Sequence, residues 1–149
     1  MPDIERVKTI REATGLSIGE ISKALDKADG NANKALDILK ARGAQIAEKK
    51  SSRQMREGLI DAYIHNTGKV GAIIELGSET DFVARNEEFK KLAHELAMQI
   101  TSMNPANIEE LMAQPSIKDN DMTVADLINQ YIAKLGENIK VRNFTRLKI

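Results

Sequence analysis

From Ile139 to Ile149 the chain alternates between two sets of side chains, and no other feature restricts its fold as tightly. Ile139, Val141, Asn143, Thr145, Leu147 and Ile149 fall on one face of an extended segment; Lys140, Arg142, Phe144, Arg146 and Lys148 fall on the other. Two further apolar runs, Leu59 to His65 and Val70 to Leu76, flank Asn66-Thr67-Gly68-Lys69, which reads as the loop of a β-hairpin. These strands predict a three-stranded antiparallel sheet, and the helical patterns around them place helices on one of its faces. The expected fold class is α+β. The second sheet face would show Leu59, Tyr63, Ile73 and Phe144 among Asp61, Glu75, Lys140 and Arg142. Four sizeable apolar groups there point to a covering partner, so these residues form a candidate dimer face.

Upstream of the hairpin the pattern is wholly helical. Ile4, Val7 and Ile10 keep helical spacing up to Thr14-Gly15, where Gly15 suits the left-handed position after a helix end. Ser17 with Glu20 forms a capping box for a second helix carrying Ile18, Ile21 and Leu25. Asn31 caps a third, with Ala32, Ala35, Leu36 and Leu39 inward and Gly43 as its expected stop. Residues 1–43 thus read as a three-helix bundle, 44–57 as a polar linker, helical or frayed, and 58–149 as a core domain. Within that domain, Phe89, Leu92, Ala93, Leu96, Ala97 and Ile100 mark a long amphipathic helix ended by Asn104-Pro105. Asn107 and Thr123 begin two more, and Gly136 closes the last.

The chain carries 22 Lys and Arg against 22 Asp and Glu, so it lacks the positive excess on which phosphate binding usually rests. Direct nucleic-acid binding is not expected. The basic strand face of Lys140, Arg142, Arg146 and Lys148 has only Phe144 interleaved and reads as a solvated or aggregation-resistant edge. With Cys 0, disulfides, thiolate metal sites and cysteine nucleophiles are excluded. His65 and His94 are the only histidines, and they lie on different elements without metal-ligand spacing. No phosphate-binding glycine loop, nucleophile elbow or paired general-acid carboxylates occur, so neither an enzyme, a cofactor nor a metal is expected. No apolar run approaches the roughly 20 residues of a membrane span, and Met1-Pro2-Asp3-Ile4-Glu5 lacks the character of a signal peptide. A cytoplasmic protein without membrane contact is the expectation.

One stretch resists this plain account. Thr80 and Asp81 are natural helix-start residues, and Asn86 offers a second start shortly after. The short turn between them carries Phe82, an aromatic on a connection in a chain with only Tyr 2, Phe 3 and Trp 0. Read from physics alone, Phe82 is a cover over the hairpin core.

Four segments, in order along the chain, resemble translation elongation factor Ts. They are Thr14-Gly15 leading to Lys23-Ala24-Leu25; His65-Asn66 with Val70-Gly71; Glu79 to Asn86; and Leu135-Gly136-Glu137-Asn138-Ile139-Lys140-Val141-Arg142. The resemblance implies a guanine-nucleotide exchange factor for elongation factor Tu, the GTPase that delivers aminoacyl-tRNA to ribosomes. It implies that Asp81 and Phe82, flanked by Thr80, Val83, Arg85 and Asn86, intrude beside the magnesium site of that GTPase. It also implies a ubiquitin-associated-like bundle docking on the GTPase domain through Thr14, Gly15, Leu16, Ile18 and Gly19. Many members carry two methionines where this chain has Ile18-Gly19, which makes that contact smaller here. The alternative is a ubiquitin-associated-like module that binds nascent chains or ribosomes without exchange activity. Neither a second core subdomain nor a long helical hairpin is visible, and a homodimer with facing sheets is the expected compensation.

Overall fold

The computed structural model describes residues 3–149. Its elements in chain order are α1 (Ile4–Thr14), α2 (Ile18–Lys27), α3 (Ala32–Lys50), β1 (Glu57–Ile64), β2 (Val70–Ser78), α4 (Asp81–Ala84), α5 (Glu87–Met103), α6 (Ile108–Ala113), α7 (Val124–Leu135) and β3 (Lys140–Lys148). The strands pair antiparallel in the order β1-β2-β3, and the fold is α+β as the sequence pattern implies.

The helices begin where local chemistry satisfies their free amides. Asp3, Ser17 and Asn31 each accept a hydrogen bond from an amide in the first turn of α1, α2 and α3. Thr123 and Asp126 form a full capping box at the start of α7, and Gly136 ends that helix in the left-handed region at φ 79°.

One expected stop fails. Gly43 lies inside α3, which continues to Lys50 and so occupies half of the stretch read as a linker. A glycine costs a helix interior about 1 kcal/mol relative to alanine, but the residues beyond it repay extension. Ile46 and Ala47 lie on the same side as Leu39 and Gly43 and pack against the core. At Gly43 itself, the backbone of α7 comes close: a Cβ there would stand 3.5 Å from the Asn129 carbonyl oxygen.

Two apolar clusters result. Ile10, Leu16, Ile21, Ala24, Leu25, Ala28, Ala35 and Leu39 fill the space among α1, α2 and α3. The larger cluster lies between α5, α7 and one face of the sheet, with Ile74, Leu76, Phe89, Leu92, Leu96 and Ile100 all at 0% exposure.

The sheet's faces differ from those read in the sequence. Asp61 pairs with Ile74 and Tyr63 with Ala72, so odd positions of β1 share a face with even positions of β2. Leu59, Tyr63 and Phe144 therefore point toward the helices and pack on the core, whereas Ile73 points away from it. The four do not form one exposed face. The cause in β3 is a bulge: Glu75 pairs with Asn143 but Leu76 pairs with Val141, leaving Arg142 as an extra residue. Past that residue the alternation changes hands, so Val141 and Phe144 face the core while Thr145 and Leu147 face away. The outer face instead carries Ile60, Ile64, Ile73 and Leu147, exposed by 65%, 71%, 48% and 73%.

This register is testable by two substitutions on paired strands. Truncating the buried Ile74→Ala should cost about 2–5 kcal/mol in urea unfolding, whereas Thr145→Ala should stay within about 0.5 kcal/mol.

Candidate functional site

The turn between β2 and α5 is built to hold its backbone still while exposing one aromatic. Ser78 is buried at the end of β2 and donates from its hydroxyl to the Thr80 carbonyl at 3.0 Å. Thr80 caps α4, its hydroxyl oxygen accepting from the Val83 amide at 3.4 Å. Helical geometry then sorts the four residues of α4. Val83 and Ala84 are buried against the core, while Asp81, Phe82 and, just beyond, Arg85 stand in solvent. Phe82 is 90% exposed. It does not cover the hairpin core. Arg85 Nε reaches back to Asp81 Oδ2 at 2.8 Å, and Asn86 accepts from the Glu88 amide at 2.8 Å to begin α5.

The turn is also gripped from the far side of the sequence. Glu137 Oε1 accepts from the amides of Glu79 and Thr80 at 3.1 and 3.0 Å, and the Thr80 hydroxyl donates to Glu137 Oε2 at 2.6 Å. Glu79 answers in kind, its Oε2 accepting from the Asn138 amide at 2.7 Å. Asn138 is buried and donates through Nδ2 to the Arg53 carbonyl at 2.9 Å, while Arg53 Nη1 lies 3.7 Å from Glu79 Oε1. Segments 79–80, 137–138 and 51–53 thus meet in one polar knot. Glu79, Glu137, Asn138 and Arg53 are the residues that sequence reasoning did not place in the site. Both Glu79 and Glu137 lie inside recognisable motifs, but no local rule links positions 58 apart.

The N-terminal candidates divide. Thr14 and Gly15 are half-buried against α7: Gln130 Nε2 donates to the carbonyls of Ala13 and Thr14 at 3.2 and 3.1 Å, and the Lys134 chain lies alongside Gly15. Leu16 is only 7% exposed and belongs to the bundle's own core, so it offers no contact surface as it stands. Its apolar side chain gains more inside than on the turn. Ile18 is 53% exposed, and Gly19 has open space around it.

Several other charged and aromatic groups are engaged within the molecule. Both histidines come to Tyr63: its hydroxyl lies 3.1 Å from His65 Nδ1, and its ring meets His94 edge-on at 5.9 Å, with His94 Nδ1 3.2 Å from Asp61 Oδ2. The basic strand face is divided by the bulge. Arg142 pairs with Glu75 at 3.2 Å and Lys140 donates to the Ser51 carbonyl at 3.0 Å, whereas Arg146 donates to the Thr101 carbonyl of α5 at 3.1 Å.

The family model described as Elongation factor TS matches residues 79–149, a span that opens on Glu79 and contains both Phe82 and Glu137. The elongation factor Ts of Thermodesulfovibrio yellowstonii is 38% identical over 189 aligned positions, covering 97% of this chain and 94% of that protein. The chain belongs to the elongation factor Ts family. The factor Ts of Thermotoga maritima gives the same 38% identity over 189 positions, with 98% and 95% covered. That of Rippkaea orientalis is 38% identical, and 76% of its length is covered. The first of these alignments runs to 189 positions against a factor Ts chain of 149 residues, so that relative carries residues with no counterpart here. Among the described residues, no helix is long and apolar enough to cross a membrane.

The joint between α3 and α7 supplies an acid-sensitive contact. Lys40 Nζ lies 3.0 Å from Asp126 Oδ2, which also accepts from the Thr123 amide at 3.0 Å. Burial alone would push this carboxyl up; the Thr123 hydrogen bonds and Lys40 outweigh it and hold the carboxyl below its ordinary 3.8. A depressed folded value means that the stabilisation is complete above about pH 4 and is lost as pH falls through the lowered value. Lys40→Met should therefore move the Asp126 carboxyl titration, followed by carbon NMR, upward toward 3.8.

Proposed function

We propose that this factor Ts promotes release of GDP from elongation factor Tu by inserting Phe82 into the GTPase beside its magnesium site, without any catalytic acid, base or cofactor of its own. The observation that carries the reading is Phe82 itself, 90% exposed on a turn whose backbone is fixed at both ends. An aromatic held in water forgoes roughly 1.5–3 kcal/mol of burial, and a partner crevice can supply it. If that crevice is open only in the nucleotide-free conformation, the gain is differential and shifts the GTPase toward that state. The coupling is reciprocal, so incoming GTP weakens the bound factor and displaces it. Asp81 enters with Phe82, already paired with Arg85 at 2.8 Å. Ile18 and Gly19 at the start of α2 provide the second contact, on the GTPase domain.

The outer sheet face supports a homodimer, with Ile73 kept from the expected face and Ile60, Ile64 and Leu147 in place of Leu59, Tyr63 and Phe144. Rows across the sheet place Ile64 beside Gly71 and Leu147, and Ala62 beside Ile73 and Thr145. Ile60, Ile64, Ile73 and Leu147 thereby form a contiguous apolar patch that a second sheet can cover. Light scattering at tens of micromolar should give twice the chain mass, and Ile73→Lys should return it to the monomer. A native monomer under those conditions rejects the dimer.

For exchange, the decisive experiment is release of fluorescent GDP from elongation factor Tu. Phe82→Ala should leave circular dichroism unchanged and slow factor-dependent release by about 10- to 100-fold, the equivalent of the burial lost. Release at the native rate rejects the wedge.

A further inference from the structure

We infer that Glu137 is a positioning residue for the exchange reaction, presetting the turn that carries Phe82; this rests on the wedge reading above. A one-turn helix is too short to hold itself: α4 spans Asp81–Ala84 and lies far below the length at which a helix is stable alone. Its order must come from outside. Val83 and Ala84 anchor one side by burial. The other side, where the chain leaves β2, is held by one carboxylate that takes three hydrogen bonds from two consecutive residues, at 3.1, 3.0 and 2.6 Å.

The arrangement at Thr80 has a definite polarity. Its hydroxyl has a single proton, given to Glu137 Oε2, which leaves a lone pair to receive the Val83 amide. Glu137 therefore orients the hydroxyl that caps α4 and determines which way the first turn leaves. Hydrogen bonds to an ionised acceptor are shorter and stronger than neutral ones, consistent with the 2.6 Å contact. The reciprocal bond from the Asn138 amide to Glu79 makes the link double, so neither strand end can slide past the other. No exposed group of Glu137 is needed by the partner in this account. Its role is to remove the cost of ordering the turn at the moment of binding.

That role has a kinetic signature different from that of Phe82. Losing the wedge lowers the release rate of the complex. Losing the clamp leaves the wedge intact but reduces the fraction of molecules that hold it in the binding geometry. If that fraction falls to a tenth, the concentration of factor Ts giving half-maximal release rises about tenfold while the maximal rate changes little.

The test uses the full chain. GDP release from elongation factor Tu is measured over a range of concentrations for the native protein, Glu137→Ala, Glu137→Gln and Phe82→Ala. Glu137→Ala should raise the half-saturating concentration about tenfold and keep the maximal rate within about twofold. Glu137→Gln retains a carbonyl acceptor for the two amides but has no second oxygen to accept from the Thr80 hydroxyl, so it should raise half-saturation about threefold, between native and alanine, and that rise decides the matter if the alanine variant fails to fold. A second readout needs no partner. Phe82→Trp gives the chain its only tryptophan, and the anisotropy of that indole should fall when Glu137→Ala is added. Native half-saturation in both Glu137 variants, or unchanged anisotropy, overturns the inference while a slow Phe82→Ala protein leaves the wedge standing. A Phe82→Ala protein that releases GDP at the native rate rejects both.

Discussion

Everything in this molecule is referred to the slab of aliphatic side chains between α5 and the inner face of the sheet. Phe89, Leu92, Leu96 and Ile100 on the helix meet Ile74 and Leu76 on the central strand, and none retains solvent contact. A chain with five aromatics and no tryptophan has few large groups with which to fill a core, and four of its five aromatics are drawn inward. Tyr131 is on the buried side of α7, where burial and the nearby Glu95 and Glu88 carboxylates push its hydroxyl well above the usual tyrosine range. Phe89, Tyr63 and Phe144 pack on the same cluster. Phe82 is the exception, and its exposure has meaning because the rest are so consistently used inside.

The polar knot beneath Phe82 complements that slab. An apolar surface fixes the depth and tilt of α4 through Val83 and Ala84, but it has no direction of its own. The amides of Glu79 and Thr80, donating to Glu137, and the amide of Asn138, donating to Glu79, supply the direction, since these bonds are short and angular. Dispersion and burial hold the turn in; charge-assisted bonds aim it.

What could be read from the sequence was what is decided locally. Helix starts at Ser17, Asn31, Asn86, Asn107 and Thr123 all follow from a side chain bonding an amide two or three residues on. Phe82 stood out because an aromatic on a connection contradicts the usual use of aromatics. The faces of the sheet were not legible, because Arg142 looks like any residue in an alternating strand. Its place as a bulge lies in the pairing with β2, where Glu75 meets Asn143 and Leu76 meets Val141. Gly43 misled for the opposite reason: its local preference is real, but burial of Ile46 and Ala47 outweighs it. Glu137 was hidden by distance along the chain, since its partners belong to a different motif.

The continuity of α3 through Gly43 makes a ruler of what would otherwise be two separate pieces. Nineteen residues of helix measure about 28 Å at 1.5 Å per residue. Its first half packs among α1 and α2; its far end delivers Ser51 and Arg53 to the knot under Phe82. The three-helix cluster and the knot under Phe82 are then joined by a continuous helix and not by a flexible linker.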